Sequence, residues 1–327
     1  MSAPKPPVDA AAHLGVVDLA RGQPAPRPAR NPGTALDLGR VRDLTVEEHA
    51  VLAKVSALVR RAALSPSEAV EGLLRVVRCL DLTTLSDDDT PERVRALCAR
   101  ARAPLADAPA GLLAGAGAIH AAAVCVFDRF VPDAAEALAG SEVQVAAVTG
   151  GFPRPWPSLA ERLSGVDKSV SAGATEVDVV VTRTHIHAER WDALYDEVRA
   201  LRDAAGDALL KTILGTGEID SLTKVARASL VCLMAGADFV KTSTGRERIG
   251  ATLPAGIAIA EAIRRHADQT GYVGGLKASG GIRTAKNALL WLRLAETELG
   301  RAWSGPLGFR IGASALLDDV AAQLGRY

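Results

Sequence analysis

The sequence predicts an α/β fold, a (β/α)8 TIM barrel preceded by an N-terminal helical extension and a disordered Pro/Ala-rich tail. Three observations carry that expectation. From residue 78 onward, short and nearly continuous apolar runs alternate with helical segments, the pattern of parallel strands covered on both faces. The alternation supplies eight strand–helix units over roughly 250 residues, the size of such a barrel. Lysines stand at one end of three successive strand candidates, within Leu209-Leu210-Lys211-Thr212-Ile213, Phe239-Val240-Lys241-Thr242-Ser243-Thr244-Gly245 and Gly274-Gly275-Leu276-Lys277-Ala278-Ser279-Gly280-Gly281. A barrel gathers its strand ends at one mouth, where the active site lies. A doubly wound open sheet is the alternative. It accounts less well for eight repeats, and no Gly-x-Gly-x-x-Gly follows the first strand.

The chain divides into three parts. Residues 1–43 form the tail, 44–77 the helical extension and 78–327 the barrel. Residues 1 to 40 hold seven of the seventeen prolines, which forbids a regular helix and leaves little to bury. Order is expected near Leu44, where Thr45 and Glu48 make a capping-box pattern ahead of Val51, Val55, Leu58, Val59 and Ala62 on one face. A second start, Ser65-Pro66-Ser67-Glu68, places proline at the first helical position. These two helices are expected to cover the bottom of the barrel or to form an oligomer contact. Strand cores follow at 78–82, 121–127, 143–149, 176–181, 209–214, 238–242, 273–277 and 309–312. The clearest helices between them are 92–103, 159–172, 189–205 and 285–299.

Composition narrows the function classes. Lysine plus arginine equals aspartate plus glutamate at 38 each. That balance gives no support for a nucleic-acid partner or an acidic membrane surface. No apolar run is long enough to span a bilayer, and the N-terminus lacks the pattern of a signal peptide. Cys79, Cys98, Cys125 and Cys232 form no C-x-x-C pair, so reduced thiols in a cytoplasmic protein are expected and a zinc site is not. His185 and His187 lack an evident third ligand and read as a polar surface.

The lysines carry the chemistry. A lysine in an apolar strand loses hydration, which lowers its pKa, and a neutral amine attacks carbonyls to form a Schiff base. A single strand-end lysine is ordinarily a solvated rim residue. Lys241 and Lys277, at matching positions of adjacent repeats, reverse that preference. In Glu176-Val177-Asp178-Val179-Val180, alternation puts Glu176 and Asp178 on one side, and a carboxylate pointing into a barrel needs a partner or a task. Gly280-Gly281 offers backbone N–H groups to a phosphate. Gly312-Ala313-Ser314-Ala315 opens a short helix after the eighth strand, a second anion site. Thr242 and Gly245 border the same mouth.

Four ordered motifs resemble the deoxyribose-phosphate aldolases. They are Leu80-Asp81-Leu82-Thr83-Thr84-Leu85-Ser86-Asp87-Asp88-Asp89-Thr90, Glu176 to Val180, Phe239 to Gly245, and Gly280-Gly281-Ile282-Arg283-Thr284. The resemblance runs from about residue 78 to the end. It implies a class I aldolase of deoxyribonucleoside catabolism that reversibly cleaves 2-deoxy-D-ribose 5-phosphate to acetaldehyde and D-glyceraldehyde 3-phosphate, without metal or cofactor. It implies Lys241 as the Schiff-base lysine, Lys277 as the cation that keeps it neutral, and Asp178 as the proton-transfer carboxylate. Asp81 and Cys125 match family residues near the pocket, and Lys211 joins them as a candidate substrate contact. Family members close a tail tyrosine over the pocket; here that residue is Tyr327, only two residues past Gly325. The chain departs from the family pattern at Ala278-Ser279, Phe127-Asp128 and Ala315. The expected partners are small phosphosugars and aldehydes, with a homo-oligomer left open. The competing readings are a non-catalytic phosphosugar-binding barrel and another Schiff-base aldolase or transaldolase.

Overall fold

A computed structural model describes residues 30–61, 64–108, 113 and 117–327. Eight parallel strands close into a barrel in sequence order, β1 through β8, with β8 pairing back to β1. They are β1 Leu80–Thr83, β2 Ala123–Phe127, β3 Gln144–Thr149, β4 Glu176–Val180, β5 Leu209–Ile213, β6 Phe239–Lys241, β7 Gly275–Ser279 and β8 Phe309–Ala313. The expected closed barrel is therefore present, and the open sheet is excluded. Every predicted strand core overlaps an observed one, with ends shifted by one or two residues.

Helices α1 Leu38–Asp43, α2 Glu48–Arg60 and α3 Pro66–Arg78 precede β1. α3 starts where predicted, with Pro66 at its first position, and Ser65 and Glu68 add a reciprocal capping box. Thr45 does not cap α2: the helix starts at Glu48 behind Glu47, which makes no side-chain cap. The backbone there is held instead by the Val46 N–H donating to Thr223 Oγ1 at 3.0 Å. The helices of the wall are α4 Pro91–Arg102, α5 Val131–Ala137, α6 Leu159–Ser171, α7 Arg183–His187, α8 Trp191–Ala205, α9 Leu222–Met234, α10 Leu253–Thr270, α11 Ala285–Glu298 and α12 Leu316–Leu324. Their apolar faces and the outward faces of the strands form one continuous core. Of the two leading helices, α2 lies against α10 and α11, and α3 against α11 and α12. Both join the outer ring. Ala62, expected on the α2 face, lies outside the described residues.

Residues 1–29 of the predicted tail also lie outside the described residues. The rest of that span is packed on the barrel. The Asn31 side chain donates to the carbonyls of Leu233 and Ala237, both at 2.8 Å, and its N–H donates to Asp238 Oδ1 at 2.9 Å. Asp238 is held in turn by Arg202 at 2.7 Å and Tyr272 Oη at 2.8 Å. Counting prolines misses this anchor, because one asparagine satisfies several buried backbone groups at once.

His266 on α10 is fully buried, and neither ring nitrogen has a hydrogen-bond partner. Burial, aided by Arg40, pushes its pKa down to about 4. Between about pH 4 and 6.5 the folded chain keeps the ring neutral while the unfolded chain protonates it. Its stabilisation is therefore complete above the unfolded value near ~6.5 and lost as pH falls through about 4. The loss should reach about 3 kcal/mol. Thermal unfolding from pH 7 to pH 4 should lower Tm more in the native chain than in His266→Leu. Equal losses would contradict this account.

Candidate active site

Strand alternation aims one set of side chains into the barrel. Asp81 comes from β1, Cys125 from β2, Ala146 and Val148 from β3, and Glu176 and Asp178 from β4. Lys211 comes from β5, Lys241 from β6, Lys277 from β7 and Arg310 from β8. Lys241 and Lys277 are register partners across β6 and β7, as their repeat-related positions predict. Lys211 lies opposite Asp178 across β4 and β5, and Arg310 opposite Lys277.

These groups form one buried ionic cluster. Asp178 Oδ2 accepts from Lys241 Nζ and from Lys277 Nζ, each at 2.7 Å. Lys277 also donates to Asp81 at 2.5 Å. Lys211 Nζ lies 2.5 Å from Glu176, 3.0 Å from Asp178 and 3.1 Å from Asp81. Arg310 grips Asp81 at 2.6 Å and Glu176 at 2.8 Å. Of the three lysines, only Lys241 keeps any solvent contact, at 2 % against 0 % for Lys211 and Lys277.

The electrostatics separate the lysines. Burial, aided by the Lys277 ammonium, holds the Lys241 amine below the usual lysine value against the pull of Asp178. Burial also opposes charge on Lys277, but Asp178 and Asp81 outweigh it and raise that pKa. Lys211 is raised well above the usual value, because Asp178, Asp81 and Glu176 together overcome its burial. Burial disfavours the Asp178 carboxylate, yet Lys211, Lys241 and Lys277 hold its pKa well below the ordinary range. The site thus pairs one amine biased toward neutrality with a neighbouring ammonium, the arrangement that Schiff-base chemistry needs.

The family profile of the DeoC/LacD family aldolases matches residues 75–321. The chain belongs to that family. It is 45% identical over 307 residues to the deoxyribose-phosphate aldolase of Bos taurus, covering 91% of this chain and 96% of that one. It is 46% identical over 303 residues to the deoxyribose-phosphate aldolase of Mus musculus, covering 90% and 95%. Among solved structures it resembles a putative deoxyribose-phosphate aldolase from Coccidioides immitis, with a TM-score of 0.63 at 26% identity over 85% of this chain and 98% of that one. It also resembles a deoxyribose phosphate aldolase from Aeropyrum pernix described as having a unique tetrameric structure, with a TM-score of 0.57 at 25% identity over 80% and 98%.

The other predicted site residues divide into two groups. Gly245, Gly280 and Gly281 lie in the loops after β6 and β7 with φ of +85°, +92° and +83°, a conformation that favours glycine. A Cβ on Gly281 would meet nothing within 4 Å, so its backbone faces open space. Ser314 is exposed just before α12, which starts behind Ala315 without a side-chain cap. Of these, Gly281 and Ser314 are open to a ligand, whereas the Gly245 N–H is taken by Glu247 Oε2 at 3.1 Å and Gly280 packs against Ser243 and Gly250.

The remaining predicted contacts are engaged inside the fold. The Thr242 hydroxyl donates to Ser279 O at 3.1 Å and accepts from Ser279 N at 3.0 Å. Asp81 and Lys211 are wholly buried in the ionic cluster, each paired within it. A Cβ on Gly312 would lie 2.5 Å from Ser279 Oγ and 3.2 Å from Lys277 Cε. Its bareness therefore makes room for the lysine stem. Cys125 packs with Ala123, Ala146 and Val148, and burial raises its thiol pKa, leaving it a small apolar wall. Tyr327 is exposed and lines a groove with Lys286, Arg293 and Gln323 on the helical ring, away from the lysines. Strand reasoning had no means of placing a terminus beyond its helix.

Sequence reasoning missed Arg310 and Arg246. An arginine in the run Phe309-Arg310-Ile311-Gly312 breaks an apolar strand, the same signal that singled out the lysines. Arg246 follows Gly245 and crosses the mouth to donate to the Leu85 carbonyl. Nothing in the local pattern separates it from an ordinary surface arginine.

Proposed function

We propose that the chain is a class I aldolase that reversibly cleaves 2-deoxy-D-ribose 5-phosphate to acetaldehyde and D-glyceraldehyde 3-phosphate. The observation that carries this reading is the pair Lys241 and Lys277 on one oxygen of Asp178, with only Lys241 biased toward its neutral form. The Lys241 amine adds to the sugar aldehyde at C1. Loss of water then gives the iminium, with Lys277 donating the proton that the departing hydroxyl needs. Deprotonation of the C3 hydroxyl breaks the C2–C3 bond, and its electron pair passes into the iminium to form the enamine. D-Glyceraldehyde 3-phosphate leaves. Protonation of the enamine carbon and hydrolysis release acetaldehyde and restore Lys241. Asp178 orients both nitrogens and takes part in the proton transfers through them and a water molecule. Its depressed pKa favours passing protons over storing one.

The small apolar surface of Cys125, Ala146 and Val148 on β2 and β3 faces the lysines across the barrel and suits the two-carbon fragment. The phosphate is assigned to the backbone of Gly280 and Gly281, with Ser314 beside it. Gly281→Asp places a carboxylate in that open space. It should weaken 2-deoxy-D-ribose 5-phosphate by about 10²-fold more in kcat/KM than unphosphorylated deoxyribose. Equal losses for the two sugars would refute the assignment.

The defining test is borohydride reduction with acetaldehyde, followed by mass mapping of the adduct to Lys241. An unmodified chain that still binds the sugar phosphate would favour the non-catalytic barrel. A cytoplasmic location fits the four free, buried cysteines, and no described helix is long and apolar enough to cross a membrane. A homo-oligomer is part of the proposal, supported by the tetrameric description of the Aeropyrum pernix structure.

A further inference from the structure

The proposed reaction uses Lys241, Lys277 and Asp178. Beside them lie four more charged side chains that touch no reacting atom, namely Asp81, Glu176, Lys211 and Arg310. We infer that Arg310 and Glu176 are positioning residues that set the charge on Lys241 from within the barrel: Arg310 drives its amine toward neutrality, and Glu176 limits that drive. The inference deepens the aldolase reading and rests on Lys241 as nucleophile.

Charge counting supports it. Four cationic groups, Lys211, Lys241, Lys277 and Arg310, share three carboxylates, Asp81, Glu176 and Asp178. All seven are buried, so solvent does little to dissipate a surplus positive charge. One amine must lose its proton for the cluster to balance. Arginine does not deprotonate in proteins. Lys211 contacts all three carboxylates, Lys277 contacts Asp81 and Asp178, and Lys241 contacts Asp178 alone. Lys241 is the least supported and gives up the proton. No other charge enters from the remaining strands. From β2 comes the neutral Cys125 thiol, and from β3 only Ala146 and Val148.

Arg310 acts at a distance. Its guanidinium occupies Asp81 Oδ1 and Glu176 Oε1 at 2.6 and 2.8 Å. Asp81 Oδ2 turns to Lys211 and Lys277, and Glu176 Oε2 is shared between Lys211 and Arg310, the latter at 3.2 Å. Without Arg310, three carboxylates face three lysines, and the balanced state is the one with Lys241 protonated. Without Glu176, four cations face two carboxylates, and Lys241 is driven further toward the neutral amine. Two neighbouring side chains, neither touching substrate, should therefore move the nucleophile in opposite directions. A purely structural salt bridge predicts no such opposition, since breaking it from either side would loosen the same contact.

The test is the acid limb of the kcat/KM–pH profile for 2-deoxy-D-ribose 5-phosphate, read in Arg310→Met, Glu176→Gln and the double variant. Arg310→Met should move the limb up by about one pH unit while the high-pH plateau stays within about tenfold. Glu176→Gln should move it down, and the double variant should return close to the native midpoint. Shifts of the same sign, or unmoved limbs, overturn the inference. If Arg310→Met does not fold, the near-isosteric Glu176→Gln decides alone: a downward shift supports the inference, and an upward shift or none overturns it. Borohydride trapping with acetaldehyde is run on every folded variant. Adduct still at Lys241 with unmoved limbs defeats this inference only, whereas adduct elsewhere in the native chain defeats the aldolase assignment beneath it.

Discussion

Lys241→Ala should lose the reducible acetaldehyde adduct and cut turnover by about 10⁴-fold or more, the scale seen when a covalent nucleophile is removed. No neighbour can replace it. Lys277 and Lys211 are fully buried, and their carboxylate partners raise both pKa values. A protonated amine has no lone pair for the carbonyl. Lys241→Met keeps most of the side-chain volume and should lose as much activity, which separates chemistry from packing. An adduct at Lys277 with full turnover in either variant would show that the nucleophile is misassigned. Far-UV circular dichroism and the unfolding midpoint check that the barrel persists. Lys241 is the amine that gives up its proton, so its removal leaves the charges of the cluster balanced and should not destabilise it much.

Lys241, Lys277 and Asp178 were legible because a charged residue in an apolar strand is rare and alternation aims it inward. The same rule reached Glu176, and applied evenly it would have reached Arg310. What it could not supply was depth. Asp81 looked like a ligand contact through its match to a family aspartate, and Lys211 through its place at a strand end. Their side chains nevertheless close onto one another within the barrel, a consequence of closure that no single strand displays. Thr242 failed for a related reason, since its hydroxyl pairs with β7, far along the sequence. Gly280 and Gly281 were readable because positive φ is what glycine pairs in turns provide. The barrel itself was legible from period alone. Its N-terminal edge was not, since Asn31 anchors the chain through single hydrogen bonds that have no periodicity.

Lys277→Leu tests the second half of the mechanism and should give the other large loss. It removes the ammonium that shares Asp178 Oδ2 with Lys241. Burial still lowers the Lys241 pKa, but the repulsion that adds to it is gone, while the attraction of Asp178 remains. Lys241 is then protonated over a wider range, and because only the neutral amine attacks, the acid limb of kcat/KM moves to higher pH. That shift is shared with Arg310→Met. The plateau distinguishes the two. In the proposed mechanism Lys277 supplies a proton to the reacting centre, a contribution of about 10²- to 10⁴-fold, and no rise in pH restores it. Arg310 touches no reacting atom, so its plateau survives. Lys277→Leu should therefore show both an upward limb and a plateau lowered by about 10²-fold or more. Acetaldehyde trapping at Lys241 should persist at high pH, slowed but complete. A plateau equal to that of the native chain would reduce Lys277 to a charge alone, and an unmoved limb would remove even that role.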